Sequence, residues 1–137
     1  GDIVDESGKA IGSHEGLASY TVGQRKGIGL TAKSGRPLYV LNILPSENKL
    51  VVGHDESLLA RDVHLRDFYW ASGSAAEEPM RVRAKIRYNM EAQLATLVPG
   101  VTPTLKFDKP VRAVTPGQIA VAYRGATVVG GGTIDNA

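Results

Sequence analysis

The chain has 137 residues, 42% of them apolar and 22% charged, with a formal net charge of +2 and no cysteine. That length and balance suit one ordinary soluble domain or two small ones with a buried core. The missing cysteines exclude a disulfide framework, a thiolate metal site and a cysteine nucleophile within these residues. No apolar run approaches the roughly 18 residues that span a bilayer, and the opening GDIVDESGK is acidic where a signal peptide is basic and then apolar, so a membrane partner is not expected.

In chain order, GDIVD and KAIG flank a Glu-Ser-Gly turn and predict a hairpin, and GLASYT (16–21) predicts a short helical turn. YTVGQRKGIGL (20–30) follows, in which Gly23, Gly27 and Gly29 permit tight turning while Arg25 and Lys26 project toward phosphate or an acidic surface, or simply into solvent. Gly27 to Ser34 comes within one residue of a phosphate loop, but Ala32 replaces the glycine that admits phosphate, and no buried strand feeds it. That reading is rejected. LYVLNIL (38–44) and KLVVG (49–53) flank a Pro-Ser-Glu-Asn turn and predict a second hairpin, and a further strand is expected over 63–69.

ASGSAAEE, small and polar, has the composition of a linker, which predicts a first domain over 1–70, a linker over 71–79 and a second domain over 80–137. Split before Met80, the first part holds eight Lys and Arg against eleven Asp and Glu, a net −3, and the second eight against three, a net +5. The positive field is expected where a polyanion would be met. Segments over 80–88, 93–98, 101–107, 112–114, 119–123 and 127–134, joined by Pro-Gly, Asp-Lys-Pro and Arg-Gly turns, predict a small closed barrel. In VTPTLKF, Val101, Pro103, Leu105 and Phe107 share the expected buried face, with Pro103 marking an edge or bulge.

MRVRAKIRY (80–88) carries the strongest pattern. Strand alternation sets Arg81, Arg83, Lys85 and Arg87 on one face, about 6.6 Å apart, and Val82, Ala84, Ile86 and Tyr88 on the other. Such a row suits a phosphate backbone, although an edge strand charged against aggregation has the same look. Tyr88 stacks on a base or fills the core. His14, His54 and His64 lack metal-ligand spacing, the acidic pairs lack an apolar pocket, and there is no GxSxG elbow. Neither a metal site nor a catalytic residue is expected in this chain.

GDIVDESGKAIGSHEG, YTVGQRKGIGL, LYVLNI, NKLVVG, KIRY, AVTPGQIAVAY and VVGGGTI together, in this order, resemble the C-terminal portion of the bacterial tRNA-specific 2-thiouridylase family, formerly described as tRNA (5-methylaminomethyl-2-thiouridylate)-methyltransferases. The likeness covers nearly the whole chain. It implies an all-β piece of a longer enzyme: a small central β domain, then a six-stranded barrel resembling domain 2 of elongation factor Tu. It further implies a cytoplasmic enzyme whose absent N-terminal domain holds ATP, Mg2+ and two cysteines, adenylates the wobble uridine and replaces its C2 oxygen with sulfur from a sulfur-relay protein. This chain is then a non-catalytic holder of the tRNA anticodon region. By the same resemblance Arg87, Tyr88 and Gln118 contact tRNA, with Lys85 and Arg83 beside them on the cationic strand, and Gln24, Arg25 and Lys26 face tRNA or the catalytic domain. The sequence departs from the family at Asn89 and Met90, where Arg-Gln is common. A generic RNA-binding barrel like those of translation factors, and a scaffold module docking an acidic protein, are the alternatives.

Overall fold

The computed structural model describes residues 1–30 and 35–135 and divides into two units, Gly1–Leu59 and Ala60–Ala137. Among the described residues the regular structure is β-strand with three short 3-10 turns.

The first unit is a four-stranded sheet built from both expected hairpins. Strand β1 (Asp2–Val4) pairs antiparallel with β2 (Ala10–Ser13), and β3 (Tyr39–Leu44) with β4 (Lys49–Gly53). The first turn is locked by Asp5, whose Oδ1 accepts hydrogen bonds from the Ser7 amide (3.0 Å), the Ser7 hydroxyl (2.6 Å) and the Lys9 amide (3.0 Å). The Ser7 hydroxyl foremost holds this exposed carboxyl below its ordinary range. The second turn opens with Pro45 in a 3-10 turn and closes with Asn48 in the left-handed region (φ 52°), which asparagine tolerates. GLASYT supplies another 3-10 turn, Leu17–Ser19.

The hairpins join through β1 and β4, which run parallel with Ile3 opposite Leu50, giving the order β2-β1-β4-β3. Alternation within single strands carries no signal for this long-range pairing. It brings Ile3, Val40, Leu50 and Val52, all at most 1% exposed, into one core that Ile28 and Leu38 complete.

The second unit is a closed six-stranded barrel in the order β10-β5-β8-β7-β6-β9. Its strands are β5 (Leu59–Trp70), β6 (Met80–Lys85), β7 (Gln93–Val98), β8 (Thr104–Arg112), β9 (Ile119–Arg124) and β10 (Thr127–Ile134). The expected number of strands is found, with two changes of membership. The strand expected over 63–69 belongs to the barrel, because β5 pairs with β10, Leu65 opposite Ile134. The segments expected over 101–107 and 112–114 are one strand: Pro110 lies beyond the β7–β8 ladder, which ends at Ala95 opposite Phe107, so its missing N–H leaves that ladder intact.

The domain boundary therefore moves from the expected 71–79 to Leu59/Ala60, and the polar 71–79 segment connects two strands of the same barrel. Composition misled here because a solvated connection between barrel strands needs no apolar anchor either. Regrouped, the first unit holds six Lys and Arg against seven Asp and Glu, and the second ten against seven. The contrast falls to −1 against +3.

The barrel interior combines large and small side chains. Leu65, Leu97, Leu105, Ile86 and Ile134 lie beside Ala84, Ala95, Ala120 and Ala122, each 2% exposed or less. A closed barrel of six strands has a narrow interior, so alanine fills positions where a second branched residue would collide. In β9 this inverts the usual size rule: Ala120 and Ala122 point inward while Ile119 is 57% exposed. Expected burial also fails at Val101, which is fully exposed in the turn before β8; Pro103 is buried there and its carbonyl accepts a 2.8 Å hydrogen bond from the Leu65 amide.

The glycine run in VVGGGTI has a packing cause. A Cβ on Gly130 would strike the Tyr69 carbonyl oxygen and approach the Phe68 ring to 2.8 Å, and one on Gly132 would meet the Arg66 carbonyl at 3.0 Å. The bare backbone of β10 lets β5 lie closely against it.

Candidate nucleic-acid interface

The outer face of β6 is cationic as the alternation requires: Val82 and Ala84 are buried, Arg81 and Arg83 exposed and Lys85 half-buried. Its charges are not equivalent. Arg81 forms a bidentate pair with Asp108 across the sheet, Nη1 to Oδ1 at 2.8 Å and Nη2 to Oδ2 at 2.6 Å, and donates to Thr96 Oγ1 at 3.0 Å. The Arg81 guanidinium holds the Asp108 carboxyl below its ordinary range, and Asp108 in turn raises Arg81. Arg81 is thus locally neutralised. Lys106 is likewise matched to Asp62 at 3.3 Å. The side chains of Arg83, Lys85 and Lys109 form no ion pair or hydrogen bond with another described residue.

Strand geometry ends at Lys85, and the expected alternation ends with it. Ile86 remains buried, its amide donating to Met90 Sδ at 3.1 Å, and that contact closes a tight turn. Tyr88 stands at its tip, 97% exposed, so the alternative of a core-filling Tyr88 is discarded. Arg87 Nη1 donates to the Arg112 carbonyl at 2.8 Å, which ties the turn to the end of β8 and leaves most of the guanidinium fork available. The next residue, Ala113, takes a left-handed conformation (φ 60°), uncommon for a residue with a Cβ.

Gln118 enters from another loop. Gly117 (φ 89°) makes the turn that glycine permits, and the Gln118 backbone is fixed by its N–H to Thr115 O (3.2 Å) and its carbonyl from the Ile134 amide (2.8 Å). Its side-chain amide is exposed, with no partner among the described residues. The antiparallel β6–β9 ladder, with Lys85 opposite Val121, brings the end of β6 to the start of β9. Lys85, Arg87, Tyr88 and Gln118 therefore share one end of the barrel, with Arg83 one step up the wall. Sequence reading missed three neighbours: exposed Ile119, Lys109, which lines a shallow depression with Arg83, and the Arg112 carbonyl. Only the charge of Lys109 was visible in advance.

The loop of the first unit has a different character. Gly23, Gly27 and Gly29 all have positive φ (91°, 82°, 78°), as the turning argument requires. The Gly23 amide donates to Val40 O (2.7 Å) and the Val40 amide to Gln24 O (2.9 Å), stitching the loop to β3, while Ile28 is buried in the core. The Gln24 side chain is consumed internally, accepting from the Thr21 amide at 3.0 Å and donating to Lys26 O at 2.8 Å. Gln24 thus braces the loop, and Arg25 and Lys26 are exposed, without a partner among the described residues. The Ala32-Lys33-Ser34 part of the rejected phosphate-loop pattern lies outside the described residues.

The histidines are dispersed. His14 is buried, with Nε2 bonded to Asn48 O at 3.0 Å and an edge-on contact to Tyr20; His64 Nδ1 meets Thr104 Oγ1 at 3.0 Å; His54 Nδ1 is 3.4 Å from Pro37 O. Among the described residues no group of three or more His, Cys, Asp or Glu is arranged to hold a metal, and no helix is long and apolar enough to cross a membrane.

These features define the class: a two-unit all-β chain whose second unit is a closed six-stranded barrel with unpaired cations and an exposed tyrosine at one end. Residues 1–54 match the family model for the tRNA methyl transferase PRC-barrel domain, and residues 60–134 that for the aminomethyltransferase beta-barrel domain. The gap between the matches coincides with the structural boundary. Curated relatives named tRNA-specific 2-thiouridylase MnmA include those of Synechococcus sp. (43% identical over 137 residues), Heliobacterium modesticaldum (44% over 137) and Koribacter versatilis (44% over 136). Each alignment covers 98% of this chain and 36%, 35% and 36% of the respective relative, so the chain spans little more than a third of their length. It belongs to the tRNA-specific 2-thiouridylase family and corresponds to its central and C-terminal β domains.

Proposed function

We propose that this chain is the tRNA-holding, non-catalytic part of a 2-thiouridylase, gripping the anticodon region while an N-terminal domain carries out ATP-dependent thiolation of the wobble uridine. The observation that carries this reading is the convergence of Arg83, Lys85, Arg87, Tyr88 and Gln118 at one barrel end, in a family whose relatives are named for tRNA. Unpaired cations supply the attraction to phosphate that an internally matched Arg81 does not. Arg87 offers a planar donor fork for phosphate, Tyr88 a ring face for a base, and Gln118 a neutral amide for ribose or base.

On this reading ATP, Mg2+ and the sulfur-transferring cysteines belong to the catalytic domain, which together with a sulfur-relay protein completes a cytoplasmic enzyme. Arg25 and Lys26, held out by a braced loop, face tRNA or that catalytic domain. Filter binding of tRNA to the chain across a salt series tests the central claim. Four unpaired cations, Arg83, Lys85, Arg87 and Lys109, give a slope of log K against log salt of about −3. A flat response, or preferential binding of an acidic protein surface that tRNA fails to displace, refutes it.

A further inference from the structure

The turn after β6 builds more than a charged edge. Residues 83–92 border a wide-open depression of about 580 Å³ lined by Arg83, Lys85, Tyr88, Asn89, Met90 and Glu91. Its lining combines two unpaired cations, a wholly exposed aromatic ring, an amide and one carboxylate. The turn is fixed from below: Met90 packs against the barrel core and its sulfur accepts the Ile86 amide, while Gln93 Nε2 donates to the Glu91 carbonyl at 3.1 Å.

The carboxylate is the informative group. Glu91 lies beside Arg83 and Lys85 yet pairs with neither, and its side chain has no partner among the described residues. A surface serving only phosphate gains nothing from an anion here. A surface that reads a base does, because a carboxylate presents two acceptors side by side. Among the four RNA bases only guanine offers two adjacent donors, N1–H and the N2 amino group, on its Watson–Crick edge. Uracil sets one N–H between two carbonyls that a carboxylate repels, and the amino groups of cytosine and adenine adjoin a ring acceptor.

We infer that this depression is a subsite for one unstacked guanine nucleotide, resting on the tRNA-holding function proposed above. Tyr88 stacks on the base, Glu91 accepts from N1 and N2, the Asn89 amide donates to O6, and Arg83 and Lys85 hold the flanking phosphates. The occupant is a single-stranded guanosine within the RNA, since the paired edge of a duplex guanine is not free to meet Glu91.

The test is fluorescence anisotropy of the 137-residue chain with labelled pentamers UUGUU, UUAUU, UUCUU and UUUUU in low salt. A bidentate contact predicts UUGUU binding about tenfold more tightly than the other three. Glu91→Gln should bring that preference to about threefold or less without weakening UUUUU, since the change keeps shape and removes a negative charge. Tyr88→Ala should weaken every pentamer, and Tyr88→Phe, which keeps the ring, should restore wild-type binding. Equal affinity for all four sequences, or a guanine preference that survives Glu91→Gln, overturns the subsite while leaving tRNA binding in place. Failure to bind both tRNA and pentamers at any salt concentration overturns the tRNA-holding function and this subsite together.

Discussion

Arg81 and Arg83 stand two residues apart on the same face of β6, and equal removals of charge there should have unequal consequences. Arg81 has its charge compensated at 2.6–2.8 Å by both oxygens of Asp108, whereas Arg83 has no such partner among the described residues. A cation already matched to a carboxylate displaces few counterions from a phosphate; an unmatched one displaces close to its full share. Arg83→Gln should therefore make the salt slope of tRNA binding shallower by about 0.7 to 0.9. Because each lost contact scales as salt to that power, the affinity in 0.1 M salt should fall roughly fivefold to eightfold. Arg81→Gln alone bares Asp108 and adds local repulsion, so the informative variant is Arg81→Gln with Asp108→Asn, which removes the pair together. Its slope should match wild type. The assay is filter binding at five or more salt concentrations, with circular dichroism on each variant. If the double variant flattens the slope as much as Arg83→Gln does, local pairing does not decide which cations act, and the site drawn here is wrong.

Three further outcomes follow from the fold. A fragment of residues 60–137 should give a cooperative thermal transition and 71–137 should not, because without β5 the barrel cannot close and β10 and β8 each lose one of their two neighbours; a cooperative transition in the shorter piece would return the boundary to 71–79. Gly130→Ala should cost about 1 to 3 kcal/mol in urea denaturation, since its methyl meets the Tyr69 carbonyl and the Phe68 ring, while Gly16→Ala, with open space and extended backbone, should cost far less. Asp5 and Asp108 have carboxyls held below their ordinary range, so their contributions are complete above the unfolded value of about 3.9 and vanish as pH falls through the lower folded values. Asp108→Asn should consequently lower the neutral plateau of a stability–pH curve slightly and flatten the acid limb below that value, so that variant and wild-type curves converge at low pH.

Local chemistry made much of this fold legible. Both hairpins of the first unit are bounded by residues with a turn mechanism of their own, Asp5 capping backbone amides and Asn48 accepting a left-handed conformation. The cationic row on β6 follows from period-two alternation up to Lys85. What escaped was non-local or volumetric. The parallel β1–β4 pairing and the recruitment of β5 depend on partners far along the chain, and a solvated connection inside a barrel has the composition of an interdomain linker. The outward Ile119 was hidden because hydrophobicity predicts burial only when the interior has room, and a six-stranded barrel reserves those places for Ala120 and Ala122.

The candidate site was legible to the same degree and for the same reasons. Alternation put Tyr88 with the buried face, but it governs only residues still in a strand, and β6 ends three residues earlier, at Lys85, where the Met90 sulfur closes the turn. A strand that continued would have carried Arg87 outward and Tyr88 inward, separating charge from ring. Breaking the strand after Lys85 instead exposes both, and the Arg112 carbonyl anchors the Arg87 side chain. The functional character of this end thus arises where the repeating pattern stops. A phosphate track requires only a row of cations, which any edge strand can supply; recognising a base requires a ring and a hydrogen-bonding edge at fixed separation. The packed Met90 and the tied Arg87 hold the turn in place, and on the subsite proposed above the turn, more than the strand that feeds it, is the part of the barrel where substitutions should alter which RNA is chosen as well as how tightly it is held.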